Sequence, residues 1–456
     1  MSLVRRESLG GWQTRTTFVL ALSASAVGLG NLWRFSYLSG EHGGAPFVIS
    51  YVLCLFLIAV PVMVAEVVIG SHGRGSPVGS IGWAADRSLL SRGWMLLGVL
   101  ACITGVLILS YYAVVAGWSL AYARDMQSGL FSSASAEVVG QQFEKFLAEP
   151  ARQIYWQTLF VLATVVAVAC GVKRGVGLLV WLAVPTLIAL LLALIGFGFD
   201  NGDMPATRDF LFSVKWVDFT PMSVLVALGH ALFTLGVGVG VGISFGAYAP
   251  VRIPIGRSVM AVAVFDTMIA LLAGLAVFPV VFANNMAPAA GPGLLFISIP
   301  YAFGNILQGE LFGALFFMLV AVAALGSAVA MMEAVVAAVV QHLRLRRVVA
   351  AFVTGFVIWA LGIAVILSMT PDAAPDWLPD GNLLATLDSL TAGVLLPLVA
   401  LLTALFAGWC LRPEILRAQL YRESGLFFSQ WHFLLRYIAP PAIAIMLLAP
   451  LIAGRG

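Results

Sequence analysis

The run Ser25-Ala26-Val27-Gly28-Leu29-Gly30-Asn31-Leu32-Trp33-Arg34-Phe35 sets two glycines, an amide and a guanidinium inside or against an apolar stretch of membrane-spanning length. In hydrocarbon a helix interrupted in this way survives only where protein or a water-filled cavity pairs the freed backbone groups. Such a break marks a binding place, because half-helix ends offer N–H groups to an anion and carbonyls to a cation. A second such stretch, Gly229-His230-Ala231-Leu232-Phe233-Thr234-Leu235-Gly236-Val237-Gly238-Val239-Gly240-Val241-Gly242, carries glycine at every second position over its later part. Each glycine costs a helix about 1 kcal/mol relative to alanine, so a local unwinding is expected here. Close helix packing is the competing reading, since Gly238 and Gly242 also form a small-xxx-small pair.

Oxygen-bearing and titratable side chains in otherwise apolar stretches extend the chemistry. A carboxylate in mid-membrane is costly enough that an ionic role for Asp266 outweighs a structural one. His230 reads equally as a hydrogen-bonded core residue or as a proton or anion group. Tyr111 and Tyr112 fit a binding site, a core or a membrane interface. Gly242-Ile243-Ser244-Phe245-Gly246 spells a nucleophile elbow, but an elbow needs a strand before it, a helix after it, and His and acid partners. Embedded in an apolar span it does not indicate an enzyme.

The elements that must hold these residues follow from composition. Of 456 residues, 61% are hydrophobic and 10% charged, and apolar stretches of spanning length recur from end to end, which describes an all-α polytopic membrane protein. Eleven spans are expected, near 15–38, 45–70, 92–124, 154–171, 176–198, 217–247, 257–285, 310–341, 348–368, 384–411 and 432–452. The two interrupted stretches then fall in the first and sixth spans, corresponding positions if spans 1–5 and 6–10 form an inverted repeat. The division is a segment 1–14, a first five-helix repeat 15–198, a second 217–411 and an eleventh helix 432–452.

Of the 24 Lys and Arg residues, 17 lie on the side of the N-terminus and 6 on the other, with Arg34 set apart within the first span. That bias puts the N-terminus inside and the C-terminus outside. Arg5 and Arg6 precede no small-residue cleavage site, so the first span reads as retained. A net charge of +3, scattered along the chain, gives no reason to expect a nucleic-acid partner. Cys54, Cys102, Cys170 and Cys410 each stand alone in an apolar run and read as packing residues. The polar segments 125–153 and 199–216 are expected to cap the outer face, and Pro292 to Gly309 to form a short re-entrant or surface hairpin able to act as a lid.

Ala26 to Phe35, followed by Glu41-His42-Gly43-Gly44-Ala45-Pro46-Phe47, resembles the helix 1 signature of the neurotransmitter:sodium symporters, and Phe233-Thr234-Leu235-Gly236 with Gly238 and Gly240 resembles their helix 6. The similarity runs from about Trp12 to the end, and eleven spans match a bacterial subset of the family similar to the bacterial leucine transporter. The resemblance implies sodium-coupled import of an amino acid by alternating access across a bacterial plasma (inner) membrane. A proton-coupled carrier or channel on the same scaffold, or a carrier of small amino-acid-like osmolytes, stays open.

It further implies that N–H groups around Leu29 and Gly30 and the Tyr112 hydroxyl hold the substrate carboxylate, and that carbonyls of Ala26, Phe233, Thr234 and Gly236 hold its amine. The side-chain pocket would be lined by Ile108, Tyr112, Phe233, Gly236, Val239, Ser327 and Met331. Gly236 and Val239 stand where a relative has Ser and Phe, so the pocket gains volume without gaining charge and suits a neutral, hydrophobic amino acid. A first sodium site maps to the Ala26 carbonyl, Asn31, Thr234 and Asp266. A second maps to carbonyls of Ala24, Val27 and Ala323 and the Ser327 hydroxyl, with Gly326 where a Thr or Ser usually adds an oxygen. Chloride is left open: Asp266 supplies a balancing charge from within, whereas Ala270 stands where a chloride-independent relative has Glu. His230 and Tyr51 occupy the family's anion-site positions. Arg34 and Asp388 map to an outer gate over Phe233, although Arg34 also suits snorkelling from a helix end. At the inner gate Arg5 or Arg6 would serve, yet Gln341 occupies the acidic position. Glu66 is expected to accept bonds from the unwound part of helix 6.

Overall fold

Thr14 opens the first helix by accepting the Thr17 N–H at 3.2 Å, and Thr220 with Ser223 forms a reciprocal capping box at the start of the sixth span, where Pro221 adds its preset φ. Between such starts the chain is almost entirely helical. The computed structural model describes residues 11–284, 293–370 and 382–453, among which the only strand-like pairing is an isolated bridge between Gly44 and Val214.

Nine helices among the described residues are long and apolar enough to cross a membrane: Ala45–Gly73 (α3), Arg92–Gln127 (α4), Pro150–Ala169 (α5), Val172–Asn201 (α6), Ile255–Ala283 (α9), Gly309–Leu343 (α10), Arg347–Leu367 (α11), Leu383–Cys410 (α12) and Gly425–Ala449 (α13). They fall on nine of the expected spans, the last starting seven residues early because Ser424 caps a helix by accepting the Phe427 N–H. The first and sixth spans are the two that do not run through. Arg15–Ala26 (α1) and Gly30–Glu41 (α2) bend by 56° at their junction. Pro221–Thr234 (α7) and Val241–Tyr248 (α8) are separated by a turn in which Gly236, Gly238 and Gly240 take φ of 65°, 90° and 75°. Glycine alone adopts that region at little cost, which decides for unwinding. Packing is served as well: a Cβ on Gly238 would lie 2.6 Å from the Leu396 carbonyl oxygen.

The segments expected as caps carry short helices, Ala136–Leu147 and Met204–Phe212. Within the expected hairpin lies the short helix Leu295–Gly304, while Gly291 and Pro292 fall outside the described residues. Phe296 stacks on Phe143 at 5.7 Å and meets Trp118 of α4 edge-on at 5.4 Å, so these two segments cover one end of α4 together. At the opposite end Trp12 donates its N–H to the Tyr248 carbonyl at 2.9 Å and its indole N–H to the Val172 carbonyl at 3.2 Å, tying the chain before α1 to α8 and α6.

One correction concerns the cysteines. Cys54 and Cys102 are buried as expected, but Cys170 is exposed and Cys410 only half-buried, so neither of these is a core packing residue. Ser244 of the elbow pattern is buried in the middle of α8, with no strand before it.

Helices α3 and α8 approach through small residues, a Cβ at Gly246 falling 2.4 Å from the Val67 carbonyl oxygen. Backbone on both sides cannot yield, so Gly246→Val is expected to cost about 1–3 kcal/mol. The thermal midpoint of the detergent-solubilised protein should fall accordingly, whereas Gly140→Val, where nothing lies within 4 Å, should leave it almost unchanged.

Candidate functional site

The breaks of α1–α2 and α7–α8 face each other, and their loose ends enclose a cavity. Its wall contains every expected substrate-pocket residue: Ala26, Leu29, Gly30, Ile108, Tyr112, Phe233, Thr234, Gly236, Val239, Ser327 and Met331. The Leu29 N–H, freed by the first break, donates to the Tyr112 hydroxyl oxygen at 3.3 Å. Gly28 allows this approach, since a Cβ there would meet the Ser327 and Tyr112 oxygens at 2.5 and 2.7 Å. The enclosed space is narrow, about 30 Å³, and no charged side chain faces it.

One wall continues into a fully buried cluster of oxygens. Asn31 donates its amide to Asp266 Oδ1 at 2.8 Å, the Thr234 hydroxyl lies 3.1 Å from both carboxylate oxygens of Asp266, and Tyr51 donates to Oδ2 at 3.0 Å. Asn31 Oδ1 turns back to accept the Gly28 N–H at 3.1 Å, fixing the amide by the break itself. Hard oxygen donors around one carboxylate suit a small monovalent cation. Among the described residues no three His, Cys, Asp or Glu side chains gather as a transition-metal site would require. His230 packs its ring on Tyr51 and Phe35 at 5.2 and 5.9 Å, and neither ring nitrogen has a partner among the described residues.

Ala24, Val27 and Ala323 line a separate, smaller cavity together with Gly326. Ser327 stands just outside that wall, in the main pocket, and donates its hydroxyl to the Val27 carbonyl at 3.2 Å. The glycine at 326 has a steric cause: a Cβ there would lie 2.5 Å from the Ala24 carbonyl oxygen. α1 and α10 therefore meet more closely than a Thr or Ser would permit.

Arg34 and Asp388 close the pocket at one end. The guanidinium lies 3.4 Å from the carboxylate and 5.0 Å above the Phe233 ring, stacking charge pair and aromatic plug in series. Tyr111 donates to the same carboxylate at 3.2 Å and pairs with Thr391, holding Asp388 toward α4. At the other end Glu66 accepts the N–H groups of Gly238 and Gly242 at 2.8 and 3.1 Å, as expected for the unwound stretch. Arg5 and Arg6 lie outside the described residues. Gln341, at the position where the resemblance implies an inner-gate acid, accepts the Ser76 N–H at 2.7 Å and so makes a neutral tie to the turn after α3. The buried acid near that end is Glu333, which accepts the Tyr248 hydroxyl at 2.6 Å and pairs with Arg347.

Four wall residues are not among those expected to line the pocket: Ser25, Gly28 and Val241, which lie in the two interrupted stretches, and Leu396, which lies in neither. Leu396 carries no chemical signal, being one apolar residue in an apolar helix, and it reaches the wall only because Gly238 lets the α12 backbone in. Arg347 as partner of Glu333 likewise has no sequence cue, since it is one of several basic residues clustered before and at the start of α11.

Two broken membrane helices meeting around an apolar cavity beside a carboxylate define a secondary transporter of the inverted-repeat class. The chain belongs to the sodium:neurotransmitter symporter family, whose model it matches over residues 9–139 and 140–454. That family is one of sodium-coupled membrane transporters. It is 34% identical to an uncharacterized sodium-dependent transporter, YhdH, of Bacillus subtilis (strain 168), over 96% of each chain. It is 27% identical to a sodium-dependent transporter of Methanocaldococcus jannaschii, over 97% of this chain and 90% of that one. Among solved structures, MhsT in complex with L-phenylalanine superposes with a TM-score of 0.88 at 37% identity, over 96% of this chain and 99% of the other.

Replacing Glu66 tests what holds the second break. Glu66→Ala orphans two buried N–H groups, each costing about 1–3 kcal/mol, and should lower the thermal midpoint and speed amide exchange across residues 236–242. Glu66→Gln retains one acceptor oxygen and should fall between.

Proposed function

We propose that this chain is a sodium-coupled symporter that imports a neutral, hydrophobic amino acid by alternating access across a bacterial plasma membrane, with its N-terminus cytoplasmic and its C-terminus outside. The observation that carries the reading is the gathering of eleven expected residues into one uncharged pocket at the meeting of the two breaks, with the Asp266 cluster beside it. The solute's carboxylate takes the N–H groups near Leu29 and Gly30 and the Tyr112 hydroxyl, and its ammonium takes the carbonyls of Ala26, Phe233, Thr234 and Gly236.

One sodium ion is held by the Ala26 carbonyl, Asn31, Thr234 and Asp266 and shares the substrate carboxylate, which couples ion to solute. A second rests on the carbonyls of Ala24, Val27 and Ala323 and on the Ser327 hydroxyl. With Gly326 offering no side-chain oxygen, this second ion binds more weakly than the first. Asp266 places a negative charge beside the first ion, and the chloride gradient imposed singly below tests whether chloride is also needed. The repeats run from 15 to 198 and 217 to 411, and 432–452 stands outside them. Arg34, Asp388 and Phe233 form the outer closure.

Leu396, Ile108 and Met331 set the apolar end of the pocket, and its narrowness means that a bulky side chain makes room by turning flexible neighbours, Met331 first. The L-phenylalanine in the MhsT structure supports an aromatic or aliphatic solute.

Uptake into proteoliposomes under sodium, chloride and proton gradients imposed singly tests the coupling. Accumulation of labelled phenylalanine or leucine driven by sodium alone is expected. Uptake that follows only the proton gradient, or flux indifferent to all three, overturns symport with sodium. Inhibition by glycine or taurine but by no hydrophobic amino acid removes the substrate class and leaves the coupling standing.

For the second ion, Ser327→Ala should lower the apparent sodium affinity several-fold. Unchanged uptake in that variant together with a Hill coefficient of one would eliminate that site. Leu396→Ala should shift competition toward bulkier side chains, by about tenfold for one methylene-sized step or more.

A further inference from the structure

Away from the breaks, a cleft of about 490 Å³ opens where the end of α3, the turn between α8 and α9, and the link between α12 and α13 come together. Arg74 contributes from the first, Arg252 from the second and Arg422 from the third, with Ser71, Gln419 and Tyr421 adding polar groups between them. No Asp or Glu stands in its wall. Glu423, next to Arg422 in the chain, is buried and already committed, accepting the Arg257 backbone N–H at 3.0 Å and its guanidinium at 3.1 Å. Arg74 is anchored by donating to the carbonyls of Ala247 and Ala249, which fixes one cation in the cleft wall. Arg252 and Arg422 are exposed, and neither has an ion pair among the described residues.

Retention of cationic side chains on one side of a membrane needs only that they lie in loops there. It does not require three from distant segments to converge on a single concavity, where like charges repel. Convergence is relieved by an anion, and planar guanidinium forks match the oxygens of a phosphate group. The volume is that of a small-molecule site rather than of a lone ion. We infer that this cleft binds a phosphate-bearing anion, contacted by Arg74, Arg252 and Arg422. By the orientation proposed above, the site faces the cytoplasm. Its ligand chemistry is that of a soluble phosphate compound or of an anionic lipid headgroup.

Binding is read without reference to transport, so its failure is distinct from failure of the symport reading. Full-length protein in an uncharged detergent is titrated with inorganic phosphate and pyrophosphate, against sodium chloride of matched ionic strength, with the thermal midpoint as readout. In parallel the protein is placed in nanodiscs of phosphatidylcholine alone or with one-fifth phosphatidic acid. A saturable rise with phosphate or pyrophosphate assigns a soluble ligand, and a rise confined to phosphatidic acid assigns the headgroup. In either case Arg252→Gln/Arg422→Gln should weaken the effect about tenfold or more. Arg252→Lys/Arg422→Lys should fold as the parent does and lose only part of it. No rise in either arm of the unmutated protein overturns the site, and so does a rise that both double variants leave intact.

Discussion

Everything in this molecule rests on how the N–H groups freed by the interrupted sixth span find partners where water cannot reach. A membrane interior leaves no backbone donor unpaired without a cost of several kcal/mol, so a break must bring its own acceptors. Glu66 does this for Gly238 and Gly242, and its position on α3 fixes how α8 sits against that helix. The glycine contacts of Gly70 and Gly246 are then necessary, because the carboxylate reaches only if the two backbones nearly touch. On the other side the first break pairs its freed groups with Asn31 and Tyr112. The cavity is what remains between two sets of satisfied ends.

The parts of this arrangement legible in sequence are those where a residue type contradicts its surroundings. Glycines at alternate positions, an amide and a guanidinium in apolar spans, and a lone carboxylate at 266 are all expensive in hydrocarbon, so each announces a compensating structure. Those contradictions locate both breaks and, with the family resemblance, eleven residues of the pocket wall. Leu396 contradicts nothing. It is an apolar residue in an apolar helix, and only the approach of two backbones at Gly238 brings it to the wall. The same holds for Arg347, one of several basic residues around the start of α11, whose pairing with Glu333 depends on the register of two helices.

Gly326 shows how one residue carries two readings. In the proposed second sodium site its missing side chain leaves one oxygen fewer. In the folded chain it is also the point at which α10 comes within contact of the Ala24 carbonyl. Both follow from one fact, since any side chain at 326 would push apart the helices whose carbonyls line the small cavity. Restoring an oxygen there would therefore change the spacing of the other donors.

Gln341 has an implication of a different kind. Where an acid would draw an arginine across the inner end, an amide holds the turn after α3 by a single bond to the Ser76 N–H. A tie between uncharged groups is indifferent to electrolyte and to the voltage across the bilayer. The strength of that latch is accordingly the same in brine as in fresh water, whatever happens to the guanidinium pair at the opposite mouth.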